Sequence, residues 1–210
     1  MPLKNELQTI ISGIGHVTKG NAIQAAADYL RKSKAASANP EEKEHIKEQE
    51  VKALLNYAQE HNFFFTNLNK ERYLAEGAEQ KVYLDEDGLH VTKLNDTIFY
   101  ASWIDYFNSL VLHNYFFPAT NYELIGFYIE DDKIFAAVKQ PYIFSTGKTS
   151  EESVKEIMTS NGFINTRNAD FYNASLGIIA EDLHDENVLT NNGILFFIDT
   201  VFYLTQDFFK

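Results

Sequence analysis

The hydrophobic period of this chain changes at Tyr73, and that change restricts the fold more than any other feature. Before it, apolar residues recur at intervals of three and four, which is the spacing of one helix face. After it, apolar and polar residues alternate in short runs separated by turn-forming residues, as in antiparallel strands. A chain of 210 residues with this change is predicted to be α+β, with a helical first part and a remainder of antiparallel strands and two further helices.

The N-terminal segment, residues 1–66, is predicted to hold a helical pair. Gly20-Asn21 offers a cap for the first helix, whose apolar face extends to Leu30. A linker is expected over Ser33–Asn39, and Asn39-Pro40 then begins the second helix with an N-cap and a proline in the first turn. The apolar stripes of the two helices are expected to pack against each other or against the sheet-forming part.

Three hairpins and two helices are predicted after Tyr73. Each hairpin is a pair of alternating runs around a turn of Asp, Asn or Gly residues. The hairpins are Lys81–Leu94, Glu123–Val138 and Val188–Phe197, and the helices are Thr97–Tyr115 and Ser150–Met158.

Three polar side chains flank the last hairpin. Asn187 comes five residues after Asp182, and Asp199 comes twelve residues after Asn187. A carboxylate base, an amide oxygen and a second carboxylate at these intervals are what Mg-assisted phosphoryl transfer needs. Asp199 also stands between apolar runs, where a carboxylate needs a partner or a metal. The spacing therefore predicts Asp182 as the catalytic base and Asn187 and Asp199 as magnesium ligands.

The composition limits the classes of partner. The 30 acidic residues outnumber the 18 basic ones, and the net charge of −12 argues against nucleic-acid or anionic-membrane binding. The absence of cysteine excludes disulfides and thiolate chemistry. The sequence has neither a signal-peptide core nor an uninterrupted apolar stretch of about 20 residues. We therefore expect a cytoplasmic protein that binds neither nucleic acid nor membrane.

The order of the predicted elements resembles that of the protein-kinase-like fold. Glu76–Tyr83 is similar to a glycine-rich loop with a single glycine, and Val91-Thr92-Lys93 is similar to the strand that carries the phosphate-binding lysine. The resemblance implies ATP and Mg²⁺ as cofactors, with Lys93 at the phosphates. The other nucleotide-binding residues that it implies are Gly77, Val82, Gln140 and Tyr142.

A narrower resemblance is carried by five short segments. They are Leu112-His113-Asn114, Leu124–Phe127, Gln140–Tyr142, Glu181–His184 and Phe197–Asp199. Together they resemble the small kinase domain of bacterial polyvalent proteins, which are carried on phages and conjugative elements. The resemblance covers roughly residues 70–205, and the helical pair before them is left open as a further part of it. It implies a minimal kinase-like fold, with an antiparallel-sheet N-lobe over residues 67–139 and a hinge and truncated C-lobe over residues 140–210.

Several departures from the kinase pattern leave roles open. The helix after Lys93 contains no glutamate, so Asp105 is either the partner of this lysine or an ordinary helix-surface residue. His184 either contacts phosphate or holds the loop. Thr200 replaces the glycine of the Asp-Phe-Gly motif, and only eleven residues follow Asp199, which predicts little surface for docking a protein substrate.

Two functions fit these features, and they belong to different classes. The first is an ATP- and Mg-dependent phosphotransferase whose acceptor, a protein or a small molecule, is unknown. The second is a pseudokinase that acts as a nucleotide-binding or protein-interaction module. The retained Asp182, Asn187 and Asp199 favour the enzyme, whereas the short C-lobe and the missing glutamate favour the module. An acidic mimic of nucleic acid rests on net charge alone and ranks last.

Overall fold

Among the residues that the structure describes, the first third of the chain is helical, as predicted, but it forms three helices and not two. The computed structural model describes residues 2–36, 43–77 and 80–210. The helices of this part are α1 (Leu3–Ile11), α2 (Asn21–Ala36) and α3 (Lys43–Glu60). The predicted linker start at Ser33 is wrong because α2 continues to Ala36. Asn39 and Pro40 lie outside the described residues.

The prediction of a helical pair missed α1. This helix has nine residues, which is too short to be stable in isolation. Leu7, Ile10 and Ile11 lie on one face of it and are buried, so tertiary packing stabilises it. The chain ends also meet here, because Lys4 Nζ donates to the carbonyl of Asp207 at 2.6 Å and Gln8 Nε2 to that of Phe208 at 2.5 Å.

A five-stranded antiparallel sheet follows the helices. Its strands are β1 (Tyr73–Glu76), β2 (Gln80–Leu84), β3 (His90–Asn95), β4 (Glu123–Glu130) and β5 (Lys133–Pro141), in the spatial order β1-β2-β3-β5-β4. The pairing of β2 with β3 and of β4 with β5 confirms the first two predicted hairpins. Strand β5 continues to Pro141, so the boundary predicted between residues 139 and 140 falls inside a strand.

Helix α4 (Trp103–Phe116) connects β3 to β4 in the sequence, and it begins later than predicted. Thr97, the expected start, has a left-handed φ of 60° and donates its N–H to the side chain of Asn95 at 2.7 Å. That turn directs the chain away from helical geometry. Ser102 then provides the N-cap by accepting from the N–H of Asp105. The carboxylate of Glu50 on α3 accepts the N–H of Trp103 at 2.7 Å.

The C-terminal part contains a short helix, a hairpin and a second sheet. Helix α5 (Glu151–Ser160) and the hairpin of β9 (Val188–Asn191) with β10 (Ile194–Phe197) confirm the predictions. The four-stranded sheet was not predicted. It consists of β6 (Ile164–Arg167), β7 (Asp170–Asn173), β8 (Ile178–Glu181) and β11 (Val201–Leu204), in the order β11-β8-β7-β6. Each strand has four residues, which is too few to give a clear alternation.

One buried cluster runs from Leu7 on α1 to Phe208 near the C-terminus, so the N-terminal helices share a core with both parts that follow. Trp103, Phe107 and Phe127 form an aromatic centre in this core, with ring centroids 6.0–6.4 Å apart. The five α-helices and the antiparallel sheets of the described ranges confirm the α+β class. No helix in these ranges has both the length and the apolar character that crossing a bilayer requires.

Candidate active site

Two adjoining cavities lie between the five-stranded sheet and the loop before β9. The apolar cavity has a volume of about 490 Å³, and Val82, Val91, Leu189 and Ile198 are among its lining residues. The acidic cavity has a volume of about 630 Å³ and is lined by five carboxylates: Asp170, Glu181, Asp182, Glu186 and Asp199. Gly77, Gln80, Glu186, Asn187 and Asp199 line both. These shared residues mark the junction of the two cavities.

All the residues predicted for the site line one of these cavities, with the exception of Asp105. The apolar cavity is lined by Gly77, Val82, Lys93, Gln140, Tyr142, Asn187 and Asp199, and Asp182 and His184 line the acidic cavity. Asp105 instead accepts a hydrogen bond from the hydroxyl of Ser102 at 2.7 Å. Its place at the start of α4 fits the helix-surface alternative and not the alternative that it pairs with Lys93.

Lys93 and Asp199 meet at the junction of the cavities. Lys93 Nζ is 3.7 Å from Asp199 Oδ2 and donates to the carbonyl of Ile198 at 3.0 Å. Val82 faces Lys93 across β2 and β3. The lysine side chain is 5% exposed and that of Asp199 is 25% exposed, so the pair is shielded from water and its attraction is stronger than on the surface. Lys93 is thus one partner of the carboxylate that stands between apolar runs in the sequence.

Tyr122 is a site residue that the sequence reasoning missed. Its hydroxyl donates to the carbonyl of Ile198 at 2.7 Å and lies 3.3 Å from Asp199 Oδ1. Its ring centroid is 5.4 Å from Lys93 Nζ. Burial, and then the negative charge of Asp199, raise the pKa of Tyr122 well above 10.0, so the hydroxyl keeps its proton and acts as a donor. The sequence around Tyr122 carries no motif that would have revealed it.

Gln80 is the second residue that was missed. Its side-chain amide donates to Asp199 Oδ2, the oxygen that also faces Lys93. Gln80 begins β2 directly after Ala78 and Glu79, which are part of the predicted glycine loop and lie outside the described residues. Gly77 donates its N–H to the carbonyl of Gln80 at 2.9 Å. The described ends of this loop therefore meet above Asp199.

The hairpin of β9 and β10 fixes the positions of Asn187 and Asp199. Val188 pairs with Phe197, and the N–H of Ile198 donates to the carbonyl of Asn187 at 2.9 Å. Asn187 and Asp199 therefore both stand at the open end of the hairpin, as the spacing predicts. The amide nitrogen of Asn187 donates to the carbonyl of Asp182 at 3.0 Å, which leaves the amide oxygen as the atom it can offer to a cation.

Asp182 follows β8 in a strained conformation. Its φ is +69°, a region that few residues other than glycine adopt and that is found often at functional sites. Its N–H donates to Asp170 Oδ1 at 3.3 Å, and its side chain is 62% exposed. The loop therefore holds this carboxylate outward, toward the acidic cavity.

His184 contacts its own loop on both ring nitrogens. Nδ1 accepts from the N–H of Glu186 at 3.3 Å, and Nε2 lies 3.2 Å from Asn187 Nδ2 and 3.7 Å from Asp182 Oδ1. These contacts fit the loop-holding alternative for His184. The carboxylates nearby repel one another, and burial, followed by the charges of Asp170 and Asp182, raises the pKa of Glu181.

Gln140 and Tyr142 take different positions at the end of β5. Gln140 is buried, and its amide donates to the carbonyl of Thr120 at 2.7 Å, so its polar group is directed into the core. Tyr142 is 42% exposed, and its N–H donates to the carbonyl of Leu89 at 2.8 Å. Of the two side chains, that of Tyr142 is the more accessible to a ligand.

The residues at the junction fit a magnesium ion that arrives with a nucleotide. Mg²⁺ prefers oxygen ligands, and it commonly takes one or two from the protein and the rest from phosphates and water. Asn187 and Asp199 could supply two such oxygens. No group of three or more His, Cys, Asp or Glu side chains is placed to hold a metal within residues 2–36, 43–77 and 80–210.

One known protein family matches most of the chain. The sequence model of the serine/threonine/tyrosine kinases found in polyvalent proteins covers residues 47–206. The match begins inside α3, so it takes in part of the helical segment before residue 70, whose inclusion the resemblance left open. No match was found among curated proteins. Because the family match spans well over half of the chain, and includes both cavities and the Asp182–Asp199 segment, the protein belongs to the family of serine/threonine/tyrosine kinases found in polyvalent proteins.

Proposed function

We propose that this kinase-like protein is an ATP- and Mg²⁺-dependent phosphotransferase that acts on a hydroxyl acceptor. The observation that carries the proposal is that Lys93 Nζ lies 3.7 Å from Asp199 at the apolar cavity, while Asn187 and Asp199 line both this cavity and the acidic one. The apolar cavity suits a nucleotide base, the junction suits phosphates and a metal, and the acidic cavity leaves room for an acceptor. Membership of the kinase family supports phosphoryl transfer as the reaction class.

Each residue then has one physical role. Val82 and the other apolar residues of that cavity would cover the base, while Lys93 would place a positive charge against the phosphates. Asn187 and Asp199 would hold Mg²⁺, which would neutralise further charge on the phosphate oxygens. Asp182 would take the proton from the acceptor hydroxyl as the γ-phosphoryl group moves to that oxygen and ADP leaves.

Binding of a nucleotide requires a local rearrangement. Asp199 Oδ2 faces both Gln80 and Lys93, so a metal at this oxygen must displace the Gln80 amide. The carboxylates of the acidic cavity repel phosphate unless a cation screens them. We therefore expect ATP to bind weakly without Mg²⁺ and tightly with it.

The same contacts support a second candidate, a pseudokinase. If Gln80 and Lys93 stay on Asp199, the carboxylate is not available to a metal, and the protein would act as a nucleotide-binding or protein-interaction module. We place either activity in the bacterial cytoplasm, within the polyvalent proteins of mobile genetic elements. The net charge of −12 disfavours nucleic acid and anionic membranes as partners.

The test is thermal stability with ATP, with and without Mg²⁺, together with transfer of labelled γ-phosphate to a panel of acceptors. The variants are Asp199→Asn, which keeps the shape and removes the charge, and Asp131→Asn in the β4–β5 turn as the matched control. The parent and the control should be stabilised by ATP only with Mg²⁺, and Asp199→Asn should not. Stabilisation that persists in Asp199→Asn refutes the metal assignment, and binding without any transfer supports the pseudokinase.

A further inference from the structure

The helix that follows Lys93 provides no glutamate, and another residue contacts this lysine from the segment after the helix. Tyr122 lies between α4 and β4, and its side chain is close to Lys93, Ile198 and Asp199. We infer that Tyr122 is a positioning residue, which holds the Ile198-Asp199 peptide and the Lys93 ammonium in the arrangement that nucleotide and metal binding require. The inference rests on the proposed function of the cleft.

The Ile198 carbonyl accepts hydrogen bonds from both Tyr122 and Lys93. The Tyr122 hydroxyl and Lys93 Nζ donate to it at 2.7 and 3.0 Å, and a carbonyl oxygen has two lone pairs, so it can accept both. The next residue is Asp199, whose Oδ1 is 3.3 Å from the same hydroxyl. A shift of this peptide would therefore move the proposed metal ligand and release the lysine together.

The ring of Tyr122 provides a second contact. Lys93 Nζ lies 5.4 Å from its centroid, within the range over which an aromatic face attracts a cation. This attraction is stronger where water is excluded, and Tyr122 is 4% exposed. Lys93 can thus be oriented by the Tyr122 ring, the Ile198 carbonyl and, farther away, Asp199. This orientation needs no carboxylate from α4.

The end of α4 holds Tyr122 in place. The Asn114 side chain accepts from the N–H of Tyr122 and donates to its carbonyl, both at 2.7 Å. The His113 ring packs against the Tyr122 ring, with centroids 4.6 Å apart. These contacts give a physical reason for the His113-Asn114 pair that the sequence singled out. Helix α4 therefore holds Tyr122 in position, although it provides no glutamate for Lys93.

His113 supports this role because it is uncharged. Its pKa is lowered to about 3, mainly by complete burial; the hydrogen bond with the Thr120 carbonyl opposes this shift, and the positive charge of Lys93 adds a smaller lowering. At neutral pH the uncharged imidazole therefore does not repel the Lys93 ammonium across the Tyr122 ring. The Thr120 carbonyl lies 3.0 Å from His113 Nε2, which fixes the orientation of the imidazole.

The test compares Tyr122→Phe, which removes the hydroxyl and keeps the ring, with Tyr57→Phe. Tyr57 is 8% exposed and packs against Phe63 and Phe127, so it is a buried tyrosine of similar environment outside the cleft. The first readout is the Mg²⁺ concentration that gives half of the ATP-dependent thermal stabilisation. The second, made without nucleotide, is the rate at which acetic anhydride acetylates Lys93, followed by mass spectrometry.

We expect Tyr122→Phe to raise the half-saturating Mg²⁺ concentration about tenfold, as for the loss of one well-placed hydrogen bond. It should also raise the acetylation rate of Lys93 several-fold, because the ammonium is held less firmly. Tyr57→Phe should change neither. If Tyr122→Phe does not fold, Asn114→Ser releases the same clamp and should shift both readouts in the same direction.

The failure of this inference is distinguishable from the failure of the proposed function. If the parent is stabilised by ATP with Mg²⁺ and Tyr122→Phe needs no more Mg²⁺ than Tyr57→Phe, the role of Tyr122 is refuted and the function stands. If the parent shows no Mg²⁺-dependent response to ATP, the proposed function is refuted. The acetylation rate of Lys93 then tests the positioning role of Tyr122 by itself. An acetylation rate of Lys93 equal in the two variants then refutes the positioning role.

Discussion

Acidification should destabilise this protein through the buried imidazole of His113. The imidazole is fully buried on α4, and burial lowers its pKa from 6.5 to about 3. Below pH 6.5 the unfolded chain binds a proton at this site and the folded chain does not. The stability is therefore fully present above pH 6.5 and is lost progressively as the pH falls toward about 3.

The magnitude follows from the two pKa values. Each unit of pH across this window costs about 1.4 kcal/mol of unfolding free energy when one group titrates only in the unfolded state. Between pH 7 and pH 5 the loss from His113 comes to about 2 kcal/mol, since the first part of the interval lies above the unfolded pKa. That is a substantial fraction of the roughly 5–15 kcal/mol that stabilises an ordinary domain.

The assay is urea unfolding of the parent, His113→Gln and His90→Gln at pH 7, 6 and 5. Glutamine keeps a donor for Thr120 and does not titrate, so His113→Gln should lose about 2 kcal/mol less than the parent over this range. His90→Gln, on the exposed β2–β3 hairpin, controls for the loss of a histidine. Equal slopes for the parent and His113→Gln would refute the argument that a neutral buried imidazole controls the acid sensitivity.

Three further predictions concern the cleft and the sheet. Gln80→Ala should lower the half-saturating Mg²⁺ concentration in the thermal assay with ATP, because it removes a donor that competes for Asp199 Oδ2. Asn187→Ala should abolish γ-phosphate transfer while leaving the melting temperature without ligand within a few degrees of the parent, since the side chain lies on the loop before the hairpin. Gly126→Ala should reduce the unfolding free energy by about 1–3 kcal/mol in urea, because its φ is +150° and a Cβ there would lie 2.9 Å from the Phe63 carbonyl oxygen.

Matched variants and contrary results separate these predictions from general damage. Gln59→Ala, on α3, should not change the Mg²⁺ requirement, and an increase in that requirement in Gln80→Ala would show that the amide assists binding. Transfer that survives in Asn187→Ala would remove this residue from the metal site. Gly88→Ala also has a positive φ but meets no atom within 4 Å, so an equal loss there would attribute the effect at Gly126 to backbone strain alone.

The parts of the fold that were predicted correctly are those fixed by local chemistry. The hairpins follow from turn residues such as Asn192-Gly193, and α5 follows from its own amphipathic pattern with Ser150 as N-cap. The start of α4 was missed because Asn95 and Thr97 form a side-chain turn that competes with the helix. The four-stranded sheet was missed because its strands have four residues each, and because β11 pairs with β8 across a long separation in sequence.

For the candidate site too, the features that could be predicted are local in sequence, and the missed ones depend on tertiary packing. The spacing of Asp182, Asn187 and Asp199 around a hairpin is a local feature, and the structure places all three at the acidic cavity. Their roles in catalysis and metal binding stay predictions. The proximity of Lys93, Tyr122 and Asp199 depends on tertiary packing, so no spacing in the sequence could have shown it. Asp105 was the only acid within the predicted helix after Lys93, and the fold directs it to Ser102.

The contact of α1 with the last residues has a consequence for how this domain can be combined with others. Lys4 and Gln8 bind the carbonyls of Asp207 and Phe208, so α1 lies beside the segment that follows β11. A domain whose ends are adjacent can be placed within a loop of another protein without separating the two halves of its host. This geometry would let the kinase-like domain be inserted into a longer polypeptide, or removed from it, as a single unit.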